Sequence, residues 1–133
     1  MTPISSAWAR PQTLAAVALA SVSLAEFHSH LRDFLHAFQS APDGSRLSAE
    51  PALLSGSFPG GEIADAYMAA VAVELSRDLR CARPAWTRAS TRILARPWFA
   101  ARTDDLRAVL LHESPAGFRE RNLFVSDNAL SVA

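Results

Sequence analysis

Apolar residues recur at helical spacing between positions 24 and 38, and this run constrains the fold more than any other feature. The pattern places an apolar stripe on one side of a helix and polar residues on the other. Ser23 and Glu26 have the spacing of a helix-capping box, and Pro42-Asp43-Gly44 has the chemistry of a turn. The stretch therefore predicts an amphipathic helix from Ser23 to about Ser40. Its stripe consists of Leu24, Phe27, Leu31, Phe34, Leu35 and Phe38.

A second helix is predicted over residues 62–80, because acidic residues lie in its first turn and arginines in its last, where each favours the helix dipole. We expect its apolar stripe to pack against the first. That stripe consists of Ile63, Tyr67, Ala70, Val71, Leu75 and Leu79. The intervening residues 41–61 are rich in proline and glycine and predict a long loop, whose Leu53 and Leu54 return to the core.

The remaining elements are shorter. Residues 13–23 are expected to form a short helix or an arm, and residues 87–95 a helix with Ile93 and Leu94 facing inward. Thr103 is expected to cap a helix that buries Leu106, Val109 and Leu110. Ser114-Pro115 predicts the start of a last helix, which ends near Asn122 and is followed by a tail.

These elements predict an all-α fold: a single compact domain of about five helices, with a long Pro/Gly-rich loop and a C-terminal helix and tail. A chain of 133 residues is long enough for one core. We expect a flexible N-terminus over residues 1–12 and a single helical domain over residues 13–133.

Charge is distributed unevenly along a chain whose formal net charge is zero. Residues 24–79 contain eight acidic residues and three arginines, whereas residues 80–102, called here the arginine segment, contain six arginines and no acid. Because the formal net charge is zero, the overall charge of the chain indicates neither a nucleic-acid nor a membrane partner. We expect the acidic and basic regions to pair within the fold.

The arginine segment also contains Trp86, Trp98 and Phe99. Three interpretations are open. The tryptophans are core residues that the arginines solvate; or both bind an acidic protein surface, since Trp and Arg are enriched at interface hot spots; or both bind nucleic acid through stacking and phosphate contacts. The candidate partner-binding residues are Arg83, Arg88, Arg92, Arg96, Trp98 and Arg102.

Other motifs indicate no cofactor, metal or catalytic site. His28, His30 and His36 lack a carboxylate or cysteine that would complete a familiar ligand set. His112 and Ser114 lie on a helix at spacings that do not bring them face to face.

Cys81 is the only cysteine, which excludes an intrachain disulfide and fits a cytoplasmic location. We expect it to be a small buried apolar residue. No apolar stretch approaches the roughly 20 residues of a membrane helix. Arg10 followed by the apolar residues 14–24 also resembles the start of a secretory signal, so a helix, an arm and a signal-like segment all stay open for the N-terminus.

Several motifs between residues 65 and 130 resemble a group of small uncharacterised bacterial proteins, some encoded beside nucleotidyltransferase-like proteins in pairs of toxin–antitoxin type. The motifs are Pro84-Ala85-Trp86, Pro97-Trp98-Phe99, Leu106-Arg107-Ala108, Glu113-Ser114-Pro115 and Phe118-Arg119-x-Arg121-Asn122-x-Phe124-Val125. The resemblance implies a non-enzymatic, antitoxin-like interaction module that binds a cytoplasmic partner enzyme. The alternative is a small DNA-binding regulator that uses the arginine segment. Glu120 stands where the group favours another basic residue, which weakens that alternative.

Overall fold

The computed structural model describes residues 10–131, so most of the predicted flexible N-terminus lies outside the described residues. The prediction of an all-α single domain is confirmed. The described residues contain six α-helices, two short 3-10 turns and one pair of two-residue strands. The helices are α1 (Leu14–Ala20), α2 (Leu24–Ser40), α3 (Ser45–Ser48), α4 (Gly61–Asp78), α5 (Asp104–Glu113) and α6 (Ala116–Arg119). The strands are β1 (Trp98–Phe99) and β2 (Leu123–Phe124).

Helix α2 forms as its sequence predicts. The Ser23 hydroxyl accepts a hydrogen bond from the Glu26 backbone N–H at 3.1 Å and satisfies one of the free donors at the helix start. The stripe is buried apart from the half-buried Leu24, and Phe34 is fully buried. The rings of Phe27 and Tyr67 meet edge to face at 6.0 Å, which joins this stripe to α4. The predicted packing of the two long helices is therefore present.

Helix α4 is the centre of the molecule. Thirteen of its eighteen residues are buried, so burial extends well beyond the predicted stripe. The predicted stripe was too narrow because most of the additional buried residues are small, four alanines, a glycine and a serine among them, and small side chains let other segments approach the helix from several sides. At its start, a Cβ on Gly61 would lie 2.0 Å from the Leu54 carbonyl oxygen, so only glycine permits this close approach of the loop.

The loop between α2 and α4 is more ordered than predicted. It contains α3, whose Leu47 is fully buried, and Leu54 returns to the core as expected. Leu53 does not, because its side chain is 43% exposed. The loop is thus held at two apolar points and by the polar contacts described below.

The predicted helix over residues 87–95 is wrong. Two 3-10 turns, Ala85–Arg88 and Ser90–Arg92, replace it. Leu94 is buried as predicted, but Ile93 is 48% exposed. Both turns pack against α4, and the buried side chains Trp86 and Arg92 contact different neighbours, which a single helix face does not allow.

The C-terminal part keeps the predicted elements but not their burial. Thr103 caps α5 through its hydroxyl, which accepts a hydrogen bond from Leu106 N–H at 3.3 Å. Only Leu110 of α5 is buried, so the predicted burial of Leu106 and Val109 is wrong. Pro115, and not Ser114, takes the N-cap position of α6.

The predicted tail contains strand β2, which pairs in parallel with β1. Trp98 lies opposite Leu123, and Phe99 lies opposite Phe124.

Cys81 is exposed, which corrects the prediction that it is a buried apolar residue. None of the helices in residues 10–131 combines the length and the apolar character that crossing a membrane requires.

Candidate functional site

The arginine segment is fixed to α4 by two buried side chains. Trp86 donates a hydrogen bond from its indole N–H to the Leu47 carbonyl at 3.0 Å. The guanidinium of Arg92 lies 5.0 Å from the centre of the Trp86 ring, a distance that favours a cation–π contact. The first interaction joins the segment to α3 in the preceding loop, and the second holds two side chains of the segment against each other.

Arg92 is buried completely, with an exposed fraction of 0%. Its Nη2 donates to the Pro51 carbonyl at 2.5 Å and lies 3.4 Å from the exposed Glu50 carboxylate. Its Nη1 lies 3.8 Å from the Asp65 carboxylate and donates to the Asp65 backbone carbonyl at 3.4 Å. A side chain with no exposed surface cannot contact a partner protein while the chain is folded. Arg92 is therefore not available for the partner binding that was predicted for it.

Asp65 is the buried counter-charge of Arg92. Its carboxylate accepts hydrogen bonds from the backbone N–H groups of Leu54, at 2.6 Å, and Ser55, at 3.0 Å. Burial raises the pKa of the Asp65 carboxyl above its ordinary value, while the two N–H donors and Arg92 act in the opposite direction. Burial outweighs these partners, so the charged form is disfavoured relative to an exposed carboxylate even with all of them in place. The expectation that acidic and basic regions pair within the fold is met at this point.

A groove of about 330 Å³ opens beside this anchored part of the segment, next to the start of α4. Its lining is mostly apolar, with one guanidinium and one carboxylate. The lining residues are Glu62, Ile63, Leu94, Ala95, Arg96, Pro97 and Trp98. Two predicted site residues, Arg96 and Trp98, thus lie together in the groove. Arg96 is exposed and Trp98 is half-buried against the core.

The walls of the groove are held by the turn before β2. Asn122 donates from its side-chain amide to the Leu94 carbonyl at 2.7 Å, and its own carbonyl accepts from Trp98 N–H at 2.8 Å. Asn122 has φ of 62°, in the left-handed region that asparagine tolerates better than most residues. One residue therefore holds the backbone at two lining residues of the groove, Leu94 and Trp98.

The other predicted residues do not lie in the groove lining. Arg83 is half-buried and lies 3.7 Å from the Glu120 carboxylate, in a polar cleft that also contains Cys81. Arg88 and Arg102 are exposed. Within residues 10–131, Arg88, Arg96 and Arg102 form no ion pair. The predicted set is therefore divided among the core, a cleft, the groove and open surface.

Sequence reasoning did not identify Ile63 and Leu94 as groove residues, nor Asn122 as the residue that holds Leu94 and Trp98 in place. Ile63 and Leu94 were expected to face inward, and both do contact the core while lining the groove. Asn122 was expected only as a helix end. From the sequence, an asparagine at this position could have indicated only one local property, a left-handed backbone in a turn.

Of the three histidines considered as metal ligands, His28 packs against two aromatic rings. His28 lies between Phe27 and Tyr67, with ring centres 5.3 and 5.2 Å away. Burial, with a smaller contribution from Arg32, lowers the pKa of His28, and burial raises the pKa of Tyr67 to about 12. Residues 10–131 contain no group of three His, Cys, Asp or Glu side chains placed to hold a metal ion.

Comparison with protein-family models, curated protein sequences and solved structures finds no significant match. The chemistry of the groove and its surroundings is therefore the basis for assigning a function.

Proposed function

We propose that this chain is a protein-interaction module that binds an apolar segment of a partner protein in the groove lined by Trp98 and Arg96. The observation that carries the proposal is that these two residues line the same groove. Tryptophan and arginine dominate the energetics of many interfaces when they lie in well-packed pockets. The hydrogen bonds of Asn122 to Leu94 and Trp98 also restrain this side of the groove, which lowers the conformational entropy lost on binding.

The lining indicates the chemistry of the partner segment. The apolar walls suit an aliphatic or aromatic side chain, which Trp98 would contact with its ring. Arg96, exposed and free of ion pairs within the described residues, suits a carboxylate beside that side chain. Glu62, at another part of the lining, suits a donor such as an amide or a basic group. One carboxylate and one guanidinium favour binding over covalent chemistry.

The resemblance described above suggests which kind of protein the partner is. We propose a nucleotidyltransferase-like enzyme encoded beside this chain, with which it would form an antitoxin-like complex in the cytoplasm. This identification depends on the resemblance, whereas the groove and its chemistry depend on the geometry alone. The two parts of the proposal can fail separately.

Binding to the purified product of the neighbouring open reading frame tests the proposal by calorimetry. We expect Trp98→Ala to weaken binding by at least about 2 kcal/mol and Arg96→Ala by about 1–2 kcal/mol. Arg88→Ala is the matched control, because Arg88 is also exposed but lies outside the groove lining. Equal effects of Arg88→Ala and Trp98→Ala would rule out the groove as the binding site.

A second measurement separates this function from a DNA-binding regulator. Binding to mixed-sequence duplex DNA is compared at low and moderate salt for the wild type and an Arg88→Ala, Arg102→Ala double variant. Phosphate contacts release counterions, so true DNA binding would fall steeply with salt and weaken in the double variant. We expect no micromolar DNA binding. Its presence, with both dependences, would favour the regulator.

A further inference from the structure

A pocket of about 230 Å³ is lined by one side of α2, by a tyrosine of α4 and by the C-terminal tail. The α2 residues in the lining are His28, Leu31, Arg32 and Leu35. They lie three or four residues apart, a spacing that puts them on the same side of the helix. Tyr67 of α4 and Ala129 and Ser131 of the tail complete the lining. This pocket shares no lining residue with the groove proposed above, so the two sites can be tested independently.

Arg32 gives the pocket a positive charge that the described part of the chain does not neutralise. Its side chain is exposed and forms no ion pair within residues 10–131. No acidic residue of the same range lines the pocket. Burial, together with Arg32, lowers the pKa of His28 from 6.5, so this imidazole is neutral at and above neutral pH. The lining therefore carries one positive charge and several hydrogen-bond donors.

Tyr67 adds a donor that has no partner within the described residues. The residue is 8% exposed, and its hydroxyl forms no hydrogen bond within residues 10–131. The oxygen is not sealed in the core, because the fully covered side-chain atoms without a partner in this range belong to Ser76, Arg92 and Arg121. Burial raises the pKa of Tyr67 to about 12, so the hydroxyl keeps its proton at neutral pH. A molecule in the pocket can accept a hydrogen bond from it.

We propose that this pocket binds a small aliphatic carboxylate, with Arg32 and Tyr67 as the residues that recognise the anion. The planar guanidinium of Arg32 pairs with the carboxylate, and the Tyr67 hydroxyl donates to one of its oxygens. Leu31 and Leu35, which are 4% and 5% exposed, supply the apolar surface for the alkyl chain.

The charge and size of the pocket restrict the ligand further. A single guanidinium matches the one negative charge of a carboxylate better than the larger charge of a phosphate. The volume lies below the roughly 300–1,000 Å³ of pockets that bind drug-sized molecules, so the ligand has only a few carbon atoms. We expect a dissociation constant of about 0.1–1 mM, since so small a ligand forms few contacts.

Amide NMR spectra of the full chain at about pH 7.5, where His28 is neutral, measure binding with sodium butyrate as the probe. We expect saturable shifts centred on residues 28–35, Tyr67 and residues 129–131, and none with sodium chloride at equal ionic strength. Butyramide has nearly the same shape without the charge and should bind at least about tenfold more weakly. Inorganic phosphate should bind at least about fivefold more weakly than butyrate.

Three variants assign the binding to the named side chains. Arg32→Gln should weaken butyrate binding at least about tenfold, and Tyr67→Phe, which keeps the packed ring, about threefold to tenfold. Arg88→Gln is the control, because Arg88 is also exposed but lies outside the pocket lining, and should stay within about twofold of the wild type. The spread of amide signals shows that each variant is folded.

Four results overturn the proposal. They are the absence of saturable shifts up to about 20 mM butyrate, shifts that lie away from the pocket, binding that Arg32→Gln leaves unchanged, and phosphate binding as tight as that of butyrate.

Discussion

Replacing Asp65 by alanine should destabilise the fold more than most single changes, because it leaves a charge and a donor buried without partners. The Asp65 side chain has no exposed surface and accepts hydrogen bonds from the N–H groups of Leu54 and Ser55. Without it, the N–H of the buried Leu54 loses its acceptor, which costs about 1–3 kcal/mol. The buried Arg92 keeps only the exposed Glu50 as a counter-charge. Breaking a buried ion pair in this way costs about 3–5 kcal/mol.

The two effects overlap, and we expect the free energy of unfolding to fall by about 3–5 kcal/mol in total. Urea denaturation followed by tryptophan fluorescence measures this loss, since Trp86 reports on the core. For a urea m value of about 2 kcal/mol/M, the midpoint should fall by about 1.5–2.5 M.

The control is Glu50→Ala, which removes the other carboxylate near Arg92. Because the Glu50 side chain is 53% exposed, its loss should cost no more than about 1 kcal/mol. Adding Arg92→Met to Asp65→Ala removes the unpaired cation and should recover part of the stability. If Asp65→Ala costs no more than Glu50→Ala, the buried pair does not stabilise the fold as argued.

Three further changes test the core, a helix end and the pH dependence of stability. Phe34→Ala removes a fully buried ring and should lower the free energy of unfolding by about 3–5 kcal/mol in urea denaturation, so a loss below about 1 kcal/mol would contradict its burial. Arg80 has φ of 57°, so Arg80→Gly should relieve strain and stabilise by about 0.5–1 kcal/mol; a lower thermal midpoint would refute this. Burial and Arg32 lower the pKa of His28 from 6.5, so the stability that neutral His28 contributes is present above about pH 6.5 and is lost as pH falls through the lowered pKa. His28→Gln should therefore lose less stability than the wild type between about pH 7 and 5, and equal losses would disprove the assignment.

Local sequence signals determined much of the secondary structure. Ser23 and Thr103 cap the helices they were expected to cap, because a cap depends on a hydroxyl and an amide three residues apart. The stripe of α2 was also correct, since helical periodicity alone decides which residues share a face. Two of the groove residues, Arg96 and Trp98, could likewise be selected by type and spacing.

Tertiary structure alone decided which of these residues are buried and which are free. Arg92 and Arg96 are alike in the sequence, yet one is in the core and the other on the groove. The difference arises from Asp65 and the Pro51 carbonyl, which lie 27 and 41 residues before Arg92. The same contacts prevent the helix predicted over residues 87–95.

The apolar residues of α5 show the same contrast between what the local sequence predicts and what the folded chain buries. The cap at Thr103 correctly predicted this helix, but the expected burial of Leu106 and Val109 was wrong, because whether a neighbour covers them depends on where the rest of the chain goes. Periodicity is a short-range property of the backbone, and the sequence by itself determined it. Burial of a charge or of an apolar face requires partners brought in from distant parts of the chain, and only the packed structure supplies or withholds them.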